Sequence, residues 1–217
     1  MKTDTGDTDS SLLRQMRDGD AAAFQRLYQR HQGPIYRYAL MRCGQSALAA
    51  DVVQDVFMGL LTRSYRYDAG LGNLQNFLFG VARNLLLKQD QAQRRHQPLP
   101  AQGDEDQEEV LMSETAETSD AIFSQQLTEH VRQAVSVLRP HYRDVIILYE
   151  LQELSYAEIA VICSIDIGTV RSRLSRARAT ILQYSDRMGW RTELAMRTTT
   201  ASATASRANA TMTGTEQ

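Results

Sequence analysis

The residues with the plainest capacity for chemistry lie in one short stretch of the second half. Arg171, Arg173, Arg176 and Arg178 fall between Ile167 and Ala179 with no acidic residue among them. A guanidinium is a planar fork of donors that fits a phosphate, or the exposed edge of a guanine, through two parallel hydrogen bonds. In the same stretch Val170, Leu174, Ala177 and Ile181 recur at intervals of four and three, the spacing of one buried helical stripe. Thr169, Ser172, Ser175 and Arg176 then point away from the stripe, with Arg171 and Arg178 flanking it on one side and Arg173 on the other. The first turns of a helix laid in the major groove reach base edges. Arg171, Ser172 and Arg176 are therefore the expected readers, and Arg173 and Arg178 the expected phosphate contacts. For the arginines taken alone, a merely solvated helix face is the competing reading.

What favours nucleic acid is the element that positions this helix. Ser155-Tyr156-Ala157-Glu158 has the form of a capping box, in which serine and glutamate satisfy each other's free amides at a helix start. The short helix it opens ends near Ile162, Cys163-Ser164-Ile165-Asp166 makes a turn, and the arginine-bearing helix begins near Ile167. Two short helices joined in this way follow the helix-turn-helix plan. Upstream, an apolar helix from His141 to about Leu151 must be core, and a helix through Leu127, Val131, Ala134, Val135 and Leu138 stops at Arg139, because Pro140 pushes its predecessor out of helical geometry.

The first half, from about Ser10 to His96, also has helical periodicity. Asp18-Gly19-Asp20 reads as a stop followed by an N-cap, Gly33-Pro34 as a break, Gly44 as a stop and Ser46 as the next cap. In the helix from Ala47 to about Leu61, Leu48, Val52, Val56 and Leu60 share one face, while Asp51, Gln54, Asp55 and Met58 share the opposite, solvent-facing one. That acidic stripe is free to meet a partner. A loop from Tyr65 to Asn73 leads into an apolar helix beginning near Leu74, whose end carries Arg83, Lys88, Arg94 and Arg95.

The net charge of −2 speaks against a nucleic-acid binder only until its distribution is examined. Residues 98–125 hold eight acids and no lysine or arginine, and the remainder carries 24 basic against 18 acidic residues. The acidic stretch, with Pro98, Pro100 and Gly103, reads as a flexible linker, and the Thr/Ser/Ala-rich end beyond about Arg197 as disordered. The expected layout is a disordered 1–9, a first domain over 10–97, a linker over 98–121, a second domain over 122–188 and a tail over 189–217. Cys43 and Cys163 suggest neither a disulfide framework nor a zinc cluster. His31, His96, His130 and His141 lack ligand spacing, so no metal or other cofactor is expected. No nucleophile and base pairing is visible and no enzyme is expected. The N-terminus lacks an apolar signal core and no run is long enough to span a bilayer, so no membrane insertion and a cytoplasmic location are expected.

At this point the sequence resembles a known family, the extracytoplasmic-function sigma factors of the sigma-70 class. Ala23-Phe24 through Leu27-Tyr28, Ala50-Asp51-Val52-Val53-Gln54-Asp55-Val56-Phe57 and Gly80-Val81-Ala82-Arg83-Asn84 resemble parts of the family's first conserved domain. Ser155 to Ala160 and Gly168 to Arg178 resemble its second. The resemblance implies an all-α chain of two small helical domains, region 2 and region 4, joined by the acidic linker. It implies docking of the Asp51, Gln54, Asp55 and Met58 face on the clamp of the largest subunit of core RNA polymerase. It also implies recognition and opening of the minus-10 promoter element by Tyr65, Asn73, Phe77, Arg83, Asn84 and Lys88, and of minus-35 DNA by the helix-turn-helix. An anti-sigma factor is an implied partner. Tyr65 and Tyr67 stay open between stacking on DNA and anchoring their loop, and Asn84 between DNA contact and a structural role. Ala50, Phe77, Cys163-Ser164 and Asp166 depart from residues frequent in the family, and Asp166 can still cap the recognition helix. The runner-up is a freestanding helix-turn-helix regulator, for which the acidic stripe would have no use.

Overall fold

The computed structural model describes residues 8–96 and 119–190, so the expected linker except its last three residues, which belong to a helix, and nearly all of the tail lie outside the described residues. Every regular element within them is helical: α1 (Asp9–Arg17), α2 (Ala21–Cys43), α3 (Ser46–Leu61), a 3-10 turn (Ala69–Leu71), α4 (Leu74–His96), α5 (Ser119–Ser136), α6 (Pro140–Ile146) running into a π turn (Ile147–Leu151), α7 (Tyr156–Cys163) and α8 (Ile167–Arg187). Helices α1 to α4 pack as one bundle and α5 to α8 as a second, as an all-α chain with two helical units requires. Buried side chains run without interruption from one bundle into the other.

Local chemistry sets most helix ends where the sequence placed them. Asp20 accepts the amides of Ala22 at 2.8 Å and Ala23 at 3.2 Å, and Gly44 closes α2 in the left-handed conformation at φ 77°, which costs glycine little. Pro140 takes the first position of α6, with Arg139 held extended before it, where a missing amide is harmless. Asp144, Val145 and Ile146 are buried in α6, as are Ile147 and Leu148 of the π turn.

Three expectations need correction. The chain does not break at Gly33-Pro34: α2 is continuous through Pro34. An internal proline costs a helix about 3 kcal/mol or more, and it is outweighed by a face buried on both sides of it, Ala23, Leu27 and His31 before and Ile35, Tyr38, Ala39 and Arg42 after. Ser46 is the first helical residue of α3, and its predecessor Gln45 occupies the cap position without a side-chain bond. The ordered units also extend past both expected outer boundaries. Thr8 caps α1, and Asp9 binds Arg30 at 2.5 Å and His31 at 2.9 Å. At the other end Trp190 is buried, stacked on His130 of α5 with ring centroids 4.3 Å apart and edge-on to Tyr184 of α8.

The loop after α3 depends on a close approach. A methyl group placed on Gly59 would come within 1.9 Å of the Tyr65 ring, so this ring lies directly over the α3 backbone. Gly59→Ala should displace Tyr65 and destabilise the chain by about 1–3 kcal/mol, the usual effect of overpacking. Urea titration followed by circular dichroism measures this, and an unchanged midpoint would remove Tyr65 as the anchor of the loop.

Candidate nucleic-acid interface

The helix-turn-helix forms as its residues require. Ser155 Oγ accepts the Glu158 amide at 3.3 Å, and Glu158 Oε2 accepts the Ser155 amide at 2.9 Å, the reciprocal pair of a capping box. Ser164 turns the chain in the left-handed region at φ 55°. Asp166 then accepts the Thr169 amide at 2.8 Å and the Thr169 hydroxyl at 2.5 Å, so the aspartate caps α8 as expected. These bonds hold the Asp166 carboxyl below its ordinary range.

Along α8, Val170, Leu174 and Ala177 are buried and Ile181 is half-buried, which places the apolar stripe against α6 and α7. Arg171, Ser172, Ser175 and Arg176 are exposed, and Thr169 and Arg173 are half-buried. The arginines differ in how they are held. Arg171 lies over the Tyr156 ring at 5.9 Å, and Arg176 reaches the Tyr142 hydroxyl at 3.4 Å. Arg178 is bound more firmly: Nε and a terminal nitrogen donate to Glu150 Oε1 at 3.1 and 2.7 Å, over the Tyr149 ring. The hydrogen bond to Glu150 holds the Arg178 guanidinium above its ordinary pKa.

In α3, Asp51, Gln54, Asp55 and Met58 are all exposed while Val52, Val56 and Leu60 are buried. The stripe reading is met, and the acids have no basic neighbour among the described ion pairs.

The residues expected at the minus-10 element divide into two groups. Asn84 and Lys88 are exposed on α4. The others have structural partners. Asn73 Oδ1 accepts the Asn76 amide at 2.7 Å and so starts α4. Phe77 packs on Tyr67, whose hydroxyl donates to the Gly72 carbonyl at 2.9 Å, and both tyrosines of the loop serve as anchors. Arg83 Nε donates to Asp144 Oδ2 at 3.0 Å.

Asp144 is the residue that sequence reasoning missed. It is fully buried, and its carboxylate also accepts from Arg42 Nε at 2.6 Å and the Tyr38 hydroxyl at 3.2 Å. Burial disfavours the Arg42 charge, but Asp144 and Asp90 outweigh it and raise the pKa. Burial, reinforced by Asp144, holds the Tyr38 phenol well above its ordinary value. A lone acid preceding the apolar run Val145 to Leu148, and a lone arginine ending the buried face of α2, were the available signals.

Comparison with known proteins agrees with this geometry. Residues 27–96 match the family described as Sigma-70 region 2, and residues 128–181 match Sigma-70, region 4. The chain is 30% identical to the ECF RNA polymerase sigma factor EcfG of Rhodopseudomonas palustris over 69% of its own length and 78% of that protein. It shares its fold with CnrH, solved in complex with the cytosolic domain of CnrY, at a TM-score of 0.60 and 21% identity over 82% of this chain and 97% of that one. The sigma factor RpoE of Bartonella quintana, solved with the anti-sigma factor NepR, superposes at 0.57 with 23% identity over 74% and 94%. With both domain matches in order and a relative at this identity, the freestanding regulator is set aside. The chain belongs to the extracytoplasmic-function sigma factors, alternative sigma subunits that bind core RNA polymerase and direct promoter recognition, and are not enzymes.

Proposed function

We propose that this sigma factor divides promoter recognition between two units: residues 10–97 engage core polymerase and the minus-10 element, residues 122–188 read the minus-35 duplex, and residues 98–121 link them. The observation that carries the reading is the exposed arginine face of α8, set behind a capped three-residue turn. Arg171, Ser172 and Arg176 contact base edges there, with Thr169 and Ser175 beside them and Arg173 and Arg178 on phosphates. Arg178 engages DNA only by leaving Glu150.

The acids of α3 support docking on the polymerase clamp through Asp51, Gln54, Asp55 and Met58. At the minus-10 element Asn84 and Lys88 contact the strand directly, Tyr65, Asn73 and Phe77 shape the loop that receives it, and Arg83 joins once Asp144 releases it. CnrH and the Bartonella RpoE were each solved with a bound partner, which supports an anti-sigma factor as the regulator. No helix among the described residues is long and apolar enough to cross a membrane, and the site of action follows the polymerase, in the cytoplasm.

In-vitro transcription with purified core polymerase and pooled genomic promoters should yield start sites that depend on this protein and share two spaced motifs. Core binding without new starts would overturn the assignment. Arg171→Ala and Arg176→Ala should each weaken duplex binding and relax base selectivity, by about 1–3 kcal/mol per lost bidentate contact. Quantitative binding to a set of promoter variants measures both, and selectivity left intact would remove these residues as readers. Charge reversal at Asp51 and Asp55 should reduce polymerase binding while leaving isolated duplex binding near wild type. Equal loss of both would contradict the division of labour.

A further inference from the structure

Two arginines on one side of α8 meet two tyrosines that arrive from different elements. Tyr149 lies in the π turn and Tyr156 opens α7. The chain between them doubles back: Leu154 donates its amide to the Leu148 carbonyl at 3.1 Å, and Glu153 takes a left-handed conformation at φ 55°. The capping box then fixes the backbone at Ser155, one residue before the second ring. The result is a tilted ring pair with centroids 5.3 Å apart, both rings half-buried against the core. Arg171 and Arg178 are seven positions apart, two turns and roughly 10 Å along a helix axis. Each sits over one ring, Arg171 over Tyr156 at 5.9 Å and Arg178 over Tyr149 at 5.1 Å.

The two arginines depend on their rings to different degrees. Arg178 also donates twice to Glu150, so an acid fixes it and occupies part of its fork. Arg171 has no acid among the described ion pairs, and the Tyr156 ring is what holds it. A ring attracts a guanidinium through its electron-rich face and takes none of its hydrogen bonds. An arginine side chain has many rotamers, and ordering it opposes binding. A cation over an exposed aromatic face is favoured about two- to fivefold. Tyr156 thus offsets part of the ordering cost in advance and leaves the donors of Arg171 open to a base.

Resting on the reading of α8 as the minus-35 helix, we propose that Tyr156 is a positioning residue for promoter selectivity: backed by Tyr149, its ring holds the Arg171 guanidinium in the orientation that forks onto one base edge. Tyr156 acts on the choice of base through Arg171 and not through a contact of its own. The face of the ring carries this role, and the hydroxyl has none.

The test compares the full chain with three replacements. Tyr156→Phe keeps the ring face, Tyr156→Leu removes it, and Tyr156→pentafluorophenylalanine keeps the ring while reversing its charge distribution. Each protein, assembled with core polymerase, selects from a pool of random-sequence duplexes, and sequencing before and after gives the base preference at every position of the enriched motifs. Arg171→Ala marks the position that Arg171 reads. Tyr156→Leu and the fluorinated ring should weaken preference at that position about two- to fivefold, with the other positions unchanged, and Tyr156→Phe should match the wild type. Equal loss in Tyr156→Phe, loss spread evenly over all positions, or wild-type preference in a folded fluorinated variant would each overturn the positioning role. Circular dichroism reports folding, and if Tyr156→Leu does not fold the fluorinated variant decides alone. A wild-type chain that enriches no motif, or an Arg171→Ala variant that alters no position, would remove the α8 reading and the proposal with it. Wild-type preference kept by every replacement at position 156 removes the proposal alone.

Discussion

A carboxylate with no exposed surface organises this molecule. Asp144 is surrounded by two guanidinium groups and a phenol, and burying it would be prohibitive without them, since an isolated interior charge costs many kcal/mol. The consequence runs in both directions. The second unit can bury α6 only where α2 and α4 supply Arg42, Arg83 and Tyr38, and the first unit can bury Arg42 in an apolar face only with Asp144 and Asp90 beside it. The relative placement of the bundles thus depends on charge matching, with buried apolar side chains continuous on either side.

This arrangement accounts for the uneven state of the two surfaces proposed to contact DNA. The face of α8 is assembled mainly within the second unit: a capping box, a left-handed Ser164, an Asp166 cap and a stripe of three buried residues packed on α6 and α7. The face of α4 shares its side chains with the seam, so Arg83 is engaged while Asn84 and Lys88, around the helix from it, stay exposed. The α8 surface is built within its own unit, and the α4 surface shares Arg83 with the seam.

The same distinction explains what could be read from the sequence. Helix caps, the turn, the buried stripe of α8 and the exposed acids of α3 are set within a few residues of chain, and periodicity and capping chemistry recover them. Misreadings occurred where tertiary packing overrode local preference. Pro34 looks like a break because the burial that outweighs its cost comes from packing against other helices, chiefly α1 and α3. Trp190 looked like the start of a tail because its partner, His130, lies 60 residues earlier. Asp144 was invisible for the same reason: its meaning depends on Arg42 and Arg83, each in a helix whose pattern read sensibly without it.

The π turn after α6 has an effect on the recognition helix that it does not touch through any base-facing residue. It contains Glu150, whose carboxylate binds Arg178 and offsets one guanidinium of the positive surface. With Arg178 on phosphate as proposed, the strength of nonspecific attraction to DNA is tuned in part from outside that helix. Drift at position 150 can raise or lower the overall grip on a genome while the residues that choose between promoters stay unchanged, so affinity and selectivity are open to separate adjustment during evolution.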